Sequence, residues 1–304
     1  MRCIVVGLGV QGEKRALYAR DDCLLSVDPI NRKANFKTIE DVPLDNYDAA
    51  LLCVPDDQKI KIIKYLINHQ KHTLVEKPLL TKNLNAIKKI ERMARENKVV
   101  CYTAYNHRFE PHYVRMKKLI QSGILGKIYH CRMFYGNGTA RLVKNSEWRD
   151  KKQGVLTDLG SHLLDTIKFW WHDVSAKFEI HSSNCFENRS PDHVIIGSKE
   201  SKPKIELEMS LLMWRNHFTC DILAEKGSAH ISSLCKWGPA TFIYRKRILP
   251  SGKPKERRIT LRKKDPTWKL EYQHFKRICK KKQKTDLSND YWILKTLQKI
   301  EKGQ

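Results

Sequence analysis

The chain has 304 residues, 41% of them hydrophobic, and carries 58 lysines and arginines against 33 acidic residues, a formal net charge of +25. This length indicates about two domains, because single cores usually stop growing near ~250 residues. The composition excludes wholesale disorder, and no apolar run approaches the ~18 residues that span a bilayer. The nine cysteines lack the close spacing of zinc or disulfide frameworks, so we expect a cytoplasmic protein without a metal site or a membrane partner.

The first hundred residues alternate short apolar runs with helical patterns. Strands are predicted for Arg2–Val6, Leu24–Val27, Ala49–Val54, Thr73–Val75 and Val99–Ala104, and helices for Glu13–Arg20, Gln58–Asn68 and Leu84–Asn97. This alternation is typical of right-handed βαβ units around a parallel sheet that is covered on both faces. The fold class is therefore α/β, with a doubly wound Rossmann domain predicted over residues 1–104.

The pattern changes after residue 104. Helices are predicted for Tyr113–Ser122, Val155–Trp171, Tyr272–Lys282 and Tyr291–Ile300, and strands for Ile205–Met213, Phe218–Ala224, Ala229–Ser232 and Thr241–Tyr244. These strands are not separated by long helices, which is typical of a mostly antiparallel sheet. We predict an α+β domain over residues 105–304.

A glycine-rich hexamer follows the first predicted strand and opens a helix. Its sequence is Gly7-Leu8-Gly9-Val10-Gln11-Gly12. In a G-x-G-x-x-G motif the glycines permit a tight turn, close approach of a pyrophosphate and close packing of helix on strand. The helix N-terminus then offers amide N–H groups to the phosphates. An ordinary glycine turn is the alternative.

Asp28 ends the second predicted strand. A carboxylate at this place can accept both hydrogen bonds of an adenosine ribose diol. Its charge repels a 2′-phosphate, which favours NAD over NADP, although Arg32 and Lys33 follow closely and partly offset that charge.

Two further segments carry reactive side chains. Glu76-Lys77-Pro78 follows the fourth predicted strand, at the edge where ligands of doubly wound sheets collect. On the later helix, at ~100° per residue, Asp158, His162 and Asp165 fall on one side. The apolar residues Leu156, Leu159, Leu163, Ile167 and Trp170 form another face. A solvated lysine and an ordinary amphipathic helix are the alternatives when each motif is taken alone.

Positive charge is concentrated near the end of the chain. Residues 245–304 contain 20 lysines and arginines and 6 acidic residues, a net charge of 20 − 6 = +14. Three explanations fit this excess: a solvated surface, attraction of an anionic substrate such as a nucleotide sugar, or binding of nucleic acid. Charge alone does not separate them.

Together these motifs resemble the Gfo/Idh/MocA family, named after glucose–fructose oxidoreductase and inositol dehydrogenase. The resemblance extends from residue 1 to about 175. It rests on the glycine turn, Asp28, Glu76-Lys77-Pro78, Tyr105-Asn106-His107-Arg108-Phe109 and the helix with Asp158, His162 and Asp165. It implies a Rossmann domain followed by a domain with a large open-faced sheet, through which many members form oligomers. We accordingly expect a homo-oligomer.

The resemblance also implies roles for individual residues. Lys77 and His162 are the expected catalytic pair, Asp158 is expected to hold a substrate hydroxyl, and Asn106 and Arg108 are expected near the nicotinamide. The remaining residues expected around the cofactor are Gly7, Gly9, Val10, Gln11, Gly12, Asp28, Val54, Pro55, Glu76 and Lys77. Separately from the resemblance, the cluster Glu147-Trp148-Arg149 is expected to place Trp148 and Arg149 beside an anionic, ring-shaped substrate, together with Lys77, Asp158 and His162. Packing in the core is the alternative for Trp148.

The predicted function is hydride transfer between NAD, with NADP possible, and a secondary alcohol or ketone of a sugar. The basic region favours a nucleotide sugar over a free sugar or cyclitol. The sequence departs from the family at Lys59, where many members have a histidine, so that contacts to the adenosine there are in doubt. Other acceptors, such as a tetrapyrrole or an imine, are an alternative within the enzymes. A nucleotide-sensing or nucleic-acid-binding Rossmann protein is the alternative of a different class, and nucleic acid is the less expected partner.

Overall fold

The computed structural model describes residues 1–146, 149–171 and 176–303. Contacts within the chain define two units. The first consists of Met1–Asn106 and Thr267–Lys295, and the second of His107–Pro266 and the residues from Thr296 onward.

The described residues contain strands and helices with the following bounds. The strands are β1 Cys3–Val6, β2 Cys23–Val27, β3 Ala49–Leu52, β4 His72–Glu76, β5 Cys101–Ala104, β6 Ile128–Gly136, β7 Lys177–Asn184, β8 His193–Lys199, β9 Lys204–Ser210, β10 His217–Ala224, β11 Gly227–Ser232, β12 Ala240–Lys246 and β13 Lys255–Leu261. The helices are α1 Val10–Ala19, α2 Asp56–Asn68, α3 Leu84–Glu96, α4 Pro111–Gln121, α5 Ala140–Lys144, α6 Ser161–Trp170, α7 Thr267–Lys280 and α8 Ser288–Lys302.

The first unit is built on a parallel sheet with the strand order β2-β1-β3-β4-β5. All residues of β1 and β3 are buried, because helices cover both faces of the sheet. On one face, Ile63 of α2 and Ile90 of α3 join the core, together with Ile4 of β1. This arrangement confirms the prediction of a Rossmann-type parallel sheet.

The sequence analysis assigned residues 105–304 to the second domain, and the structure differs from this for α7. Tyr272, Phe275 and Ile278 of α7 belong to the core of the first unit, where they pack with Val5 and Leu51 on the other face of the parallel sheet. The beginning of α8 also belongs to this unit. The reason is physical, since the apolar sheet requires cover on this face, and α7 supplies an apolar stripe.

The second unit is built on an eight-stranded sheet with the order β13-β12-β11-β10-β6-β9-β8-β7. Only the β6–β9 pair is parallel among the strand pairs of this sheet that the structure describes. Alternate residues of the central β6, Cys131, Met133 and Tyr135, are buried on one face. The predicted mostly antiparallel sheet is confirmed.

One predicted helix has a different internal structure. Val155–Trp171 was predicted as a continuous helix, but Leu156–Gly160 forms a π-helical turn that leads into α6. The apolar side of the segment is buried as predicted: Leu156, Leu159, Leu163, Ile167 and Trp170 are at most 3% exposed. None of the helices in the described ranges has the length and apolar content required to cross a bilayer.

Candidate functional site

The turn between β1 and α1 requires glycine at two positions. Gly7 has a φ of +90°, and a Cβ there would lie 2.4 Å from the carbonyl oxygen of Cys53. A Cβ on Gly12 would lie 1.9 Å from the carbonyl oxygen of Gly7. In contrast, no atom lies within 4 Å of a Cβ built on Gly9. The backbone at Gly9 is thus open to close approach by a ligand, as a dinucleotide pyrophosphate requires.

Helix α1 begins directly after this opening. Its first residue, Val10, is 82% exposed, and Gln11 is also exposed. The N–H groups of a first helical turn have no partner within their own helix, and the helix dipole favours an anion in front of them. The glycine turn and this helix end therefore fit the phosphates of a dinucleotide.

Asp28 is fixed beside the glycine turn by backbone donors. Its Oδ2 accepts a hydrogen bond from the N–H of Leu8 at 2.7 Å, and its Oδ1 accepts bonds from the N–H groups of Ile30 and Asn31, each at 2.8 Å. Burial acts to raise the pKa of Asp28, but these three bonds outweigh it, with a smaller contribution from Lys37, and the pKa is lowered. The carboxylate is accordingly ionised near neutral pH.

Val54 and Pro55 lie between the carboxyl end of β3 and the start of α2. Val54 is half-buried and Pro55 is exposed. Their place, at the edge of the sheet where the strands end, is the one predicted for residues around a cofactor.

Lys59 of α2 binds the main chain around Lys77. Its ammonium is 2% exposed and donates to the carbonyl oxygens of Glu76 at 2.7 Å and Pro78 at 2.8 Å, and it pairs with Asp56 at 2.7 Å. The two carbonyls on either side of Lys77 are therefore held by one buried cation. In the structure, Lys59, the position where the sequence departs from the family, therefore holds the turn Glu76-Lys77-Pro78, called the Lys77 turn below.

The side chain of Glu76 takes part in a buried ion network. Arg15 of α1 donates from Nε to Glu76 and from Nη1 to Glu271 of α7, each at 2.6 Å. The guanidinium also lies over the ring of Trp268, 4.3 Å from its centroid. Burial acts to lower the pKa of Arg15, but the two glutamates outweigh it and raise the pKa. The network connects helix α1 with the residue before Lys77.

Asn106 and Arg108, expected near the nicotinamide, belong to different units. Asn106 is 7% exposed and donates from Nδ2 to the hydroxyl of Thr267 at 2.8 Å. Arg108 forms a two-pronged ion pair with Asp165, whose carboxylate is 1% exposed, with Nε at 3.0 Å from Oδ2. The structure thus gives Arg108 a carboxylate partner on α6.

The π-helical turn and α6 together form the α6 segment, and two carboxylates on its polar side form ion pairs with arginines. Asp158, in the π-helical turn, pairs with Arg149 at 3.1 Å, and each of these side chains is about a third exposed. At the other end of the segment, Asp165 is held by Arg108. The structure therefore brings together Arg149 and Asp158, two residues of the predicted substrate set. Trp148 and its neighbour Glu147 lie outside the described residues.

His162 lies between these two ion pairs on the segment and is 7% exposed. Its ring stacks on that of His107, with 4.1 Å between the centroids and 23° between the planes. The ring of Tyr135 approaches it edge-on at 5.9 Å. At the edge of the His107 ring, the ammonium of Lys236 lies 2.9 Å from Nε2.

Sequence reasoning missed several of these residues. Arg15, Glu271 and Lys236 carried no motif, and His107 was noted only within the resemblance. A signal did exist at Lys59, where a histidine was expected. Decisive partners, such as Glu271 for Arg15 and His107 for Lys236, are distant in the chain, so that only the folded structure reveals them.

Two protein-family models match the chain and indicate its class. The model described as an oxidoreductase family with an NAD-binding Rossmann fold matches residues 1–105, and the model of the Gfo/Idh/MocA C-terminal domain matches residues 113–230. The class is thus that of the NAD-binding oxidoreductases. Within it, the chain belongs to the Gfo/Idh/MocA family.

Individual relatives are more distant. An uncharacterised oxidoreductase of Schizosaccharomyces pombe is 27% identical over 155 residues, which cover 49% of this chain and 41% of that protein. An inositol 2-dehydrogenase of Corynebacterium glutamicum is 24% identical over 217 residues, covering 68% of this chain and 63% of the relative. The chain matches less than two thirds of the length of either relative.

A solved structure shows the same fold over nearly the whole chain. The UDP-N-acetylglucosamine 3-dehydrogenase GnnA of Acidithiobacillus ferrooxidans has a TM-score of 0.80 at 17% identity. The superposition covers 99% of this chain and 96% of that one.

Proposed function

We propose that the protein is an NAD(P)-dependent dehydrogenase that oxidises a secondary alcohol of a sugar, nucleotide sugar or cyclitol, or reduces the corresponding ketone. The observation that carries this proposal is the Lys77 turn. In this domain with an NAD-binding fold, Lys59 holds the carbonyl groups on both sides of Lys77. Arg15 holds the side chain of Glu76, the residue before Lys77. Such buried ionic support is expected where the position of a side chain matters for chemistry.

The residues of the first unit fit a dinucleotide. The open backbone at Gly9 and the exposed start of α1 suit the pyrophosphate, and the fixed carboxylate of Asp28 suits the adenosine ribose. The negative charge of Asp28 disfavours a 2′-phosphate, so we propose NAD as the preferred cofactor. When bound, NAD would supply the nicotinamide that accepts the hydride from the carbinol carbon.

The protein side chains then perform the proton chemistry. In the direction of oxidation, the imidazole of His162 takes the proton of the substrate hydroxyl, since an imidazole titrates close to neutral pH. The ammonium of Lys77 stabilises the negative charge that develops on the oxygen. Asp158 accepts a hydrogen bond from a neighbouring hydroxyl of the substrate, and Arg149 orients Asp158.

The substrate class has two candidates of equal standing among similar proteins. The relative from Corynebacterium glutamicum is an inositol 2-dehydrogenase, and the structural neighbour from Acidithiobacillus ferrooxidans acts on a nucleotide sugar. The net charge of +25 favours an anionic substrate. We therefore propose a nucleotide sugar, with a neutral sugar or cyclitol as the second candidate.

The test is a screen in which the absorbance of reduced nicotinamide reports turnover. Nucleotide sugars, free sugars and cyclitols are each offered with NAD and with NADP. We expect reduction of NAD with at least one polyol and the highest kcat/KM with a nucleotide sugar. A cyclitol that is turned over faster than every nucleotide sugar would contradict the substrate choice. The absence of turnover with all three classes, while NAD binds, would contradict the dehydrogenase proposal.

A further inference from the structure

A cation contacts one of the two stacked histidines of the second unit. Lys236 follows β11 in a short helical turn, Cys235–Trp237, and its ammonium contacts Nε2 of His107 at 2.9 Å and the hydroxyl of Tyr135 at 3.3 Å. The same ammonium lies over the ring of Trp237. The face of the His107 ring is stacked on His162. His107 thus contacts both Lys236, at its Nε2 edge, and His162, at its face.

The contact between Lys236 and His107 defines the protonation of His107. An ammonium has three donors and no acceptor, so Nε2 of His107 accepts the hydrogen bond and carries no proton. The neutral ring then has its proton on Nδ1. A second proton on Nε2 would break this bond and would place two cations 2.9 Å apart. His107, which is 2% exposed, is thereby held in one neutral tautomer.

The same cation also acts on the neighbouring ring. A positive charge disfavours protonation of a nearby imidazole, and the low exposure of both rings weakens solvent screening. The rings are only 4.1 Å apart, so a proton on one disfavours a proton on the other.

Other ionisable groups near the two rings either form ion pairs or have a raised pKa. Asp158 and Asp165, on the segment that carries His162, pair with Arg149 and Arg108. Burial raises the pKa of Glu110, which accepts a bond from the N–H of Cys235, next to Lys236. Burial also raises the pKa of Tyr135, as does the charge of Asp158. Lys236 carries a positive charge and contacts the His107 ring directly.

We propose that Lys236 is a positioning residue that keeps the His107–His162 pair deprotonated near neutral pH, so that His162 is ready to accept a proton. Lys236 acts through His107 and is not assigned a contact with the substrate. The part of this proposal that concerns catalysis rests on the function proposed above, whereas the part that concerns protonation does not.

The direct test is an NMR titration of the histidine side chains in the full-length protein, free of substrate. The chain has 12 histidines, and the variants His107→Asn and His162→Asn identify the two signals by their loss. In the wild type we expect nitrogen shifts of His107 that are typical of a protonated Nδ1. In Lys236→Met we expect loss of this tautomer and uptake of the first proton by the pair at a pH higher by roughly 1–3, because the variant removes a direct charge contact with His107.

Two further variants provide the controls. Lys236→Arg retains the cation and is expected to keep the titration close to that of the wild type. Lys246→Met removes an exposed lysine of β12 and causes the same change in net charge, and it is expected to leave the titration unchanged. If Lys236→Met does not fold, Lys236→Gln replaces it. Identical titrations in the neutral Lys236 variant and in Lys246→Met would overturn the proposal.

A kinetic measurement separates the part of the proposal that concerns protonation from the part that concerns catalysis. With a substrate in hand, the acid limb of the profile of kcat/KM against pH is expected to move upward in Lys236→Met by the same amount as the NMR titration, while activity at high pH is retained. A shift by NMR without a shift of the acid limb would refute the link to catalysis and leave the electrostatic effect standing. An inactive wild type with the predicted NMR shift would refute only the proposed function.

Discussion

Individual residues of this protein differ in how far the sequence revealed them. Gly7 and Asp28 were recognisable because their roles depend on local backbone geometry and on spacing along the chain. The role of Lys59 was not recognisable, because its partners, the carbonyls of Glu76 and Pro78, are reached only after α2 has packed beside β4. Local sequence signals thus predict a glycine turn and the carboxylate beside it. Buried contacts between residues from different elements, such as those of Lys59, are known only from the tertiary structure.

Asp28 leads to a prediction about cofactor choice. Substitution Asp28→Asn removes the charge that opposes a 2′-phosphate, so the ratio of the Kd for NADP to the Kd for NAD should fall roughly tenfold, corresponding to about 1.4 kcal/mol. Both constants are measured by titration of the intrinsic fluorescence. Asp45→Asn, at an exposed position in a short 3₁₀ turn of the same unit, is the matched control and should keep the wild-type ratio. An unchanged ratio in Asp28→Asn would refute the role of this charge.

Lys59 leads to a prediction about stability. Lys59→Met leaves two carbonyl acceptors at the Lys77 turn without their donor, so the free energy of unfolding should fall by about 1–3 kcal/mol. Urea unfolding followed by circular dichroism measures this change. Lys61→Met, an exposed position on the same helix, should change it by less than ~0.5 kcal/mol. Equal stability of the two variants would show that Lys59 does not brace the turn.

At the level of elements, periodicity predicted the α6 segment but not its π-helical turn. The predicted apolar face was correct. Asp158, however, lies in a π-helical turn, which rotates through fewer degrees per residue than the ~100° used to place it on the same side as His162. No strand was predicted for β6, β7, β8 or β13. The central β6 pairs with β9 and β10, which are distant in the chain, so no local signal reveals it. β7 pairs with β8 and β13 with β12, and both β7 and β13 are largely exposed, so they lack the apolar content of a typical predicted strand.

The start of the α6 segment is supported by a loop that Asp150 organises. Asp150 accepts bonds from the N–H and hydroxyl of Ser190, each at 2.8 Å, and from Arg189. Pro191, which follows, accepts a bond from the N–H of Val155 at 2.8 Å. Burial acts to raise the pKa of Asp150, but the bonds from Ser190 and Arg189 outweigh it and lower the pKa to about 2.

A prediction on the pH dependence of stability follows from Asp150. Because its pKa is lowered on folding, its contribution is fully present above the ordinary value of about 3.9 and is lost as the pH falls towards about 2. Asp150→Asn should therefore be less stable than the wild type by about 1–3 kcal/mol near pH 7, and the difference should shrink below about pH 4. Thermal unfolding at several pH values measures it. Glu200→Gln, at an exposed position, is the control, and a difference that is constant down to pH ~2.5 would contradict the account.

At the level of the whole molecule, the sequence predicted two fold types in the correct order but divided the chain too simply. The contribution of α7 to the first unit could not be predicted, because nothing in an amphipathic helix states which sheet it will cover. The same division splits the basic C-terminal stretch, so that β12 and β13 belong to one unit and α7 to the other. Assembly into a homo-oligomer stays a prediction.

The net charge of +25 predicts a dependence of substrate binding on ionic strength. At saturating NAD, the KM for a nucleotide sugar should rise several-fold between about 50 and about 300 mM NaCl, because salt screens the attraction of the anion. The KM for a neutral sugar or cyclitol should change less than about twofold, and this serves as the control. Equal salt dependence for both substrates would show that the positive charge does not select the substrate.

The most direct test of the central claim measures turnover and NAD binding in Lys77→Met and His162→Asn. We expect kcat to fall by about 10²–10³-fold or more in each variant, with a Kd for NAD that stays within about threefold of the wild type. Lys61→Met and His217→Asn, at exposed positions of the two units, should retain wild-type turnover. Full activity of either Lys77→Met or His162→Asn would remove that residue from the mechanism and contradict the account.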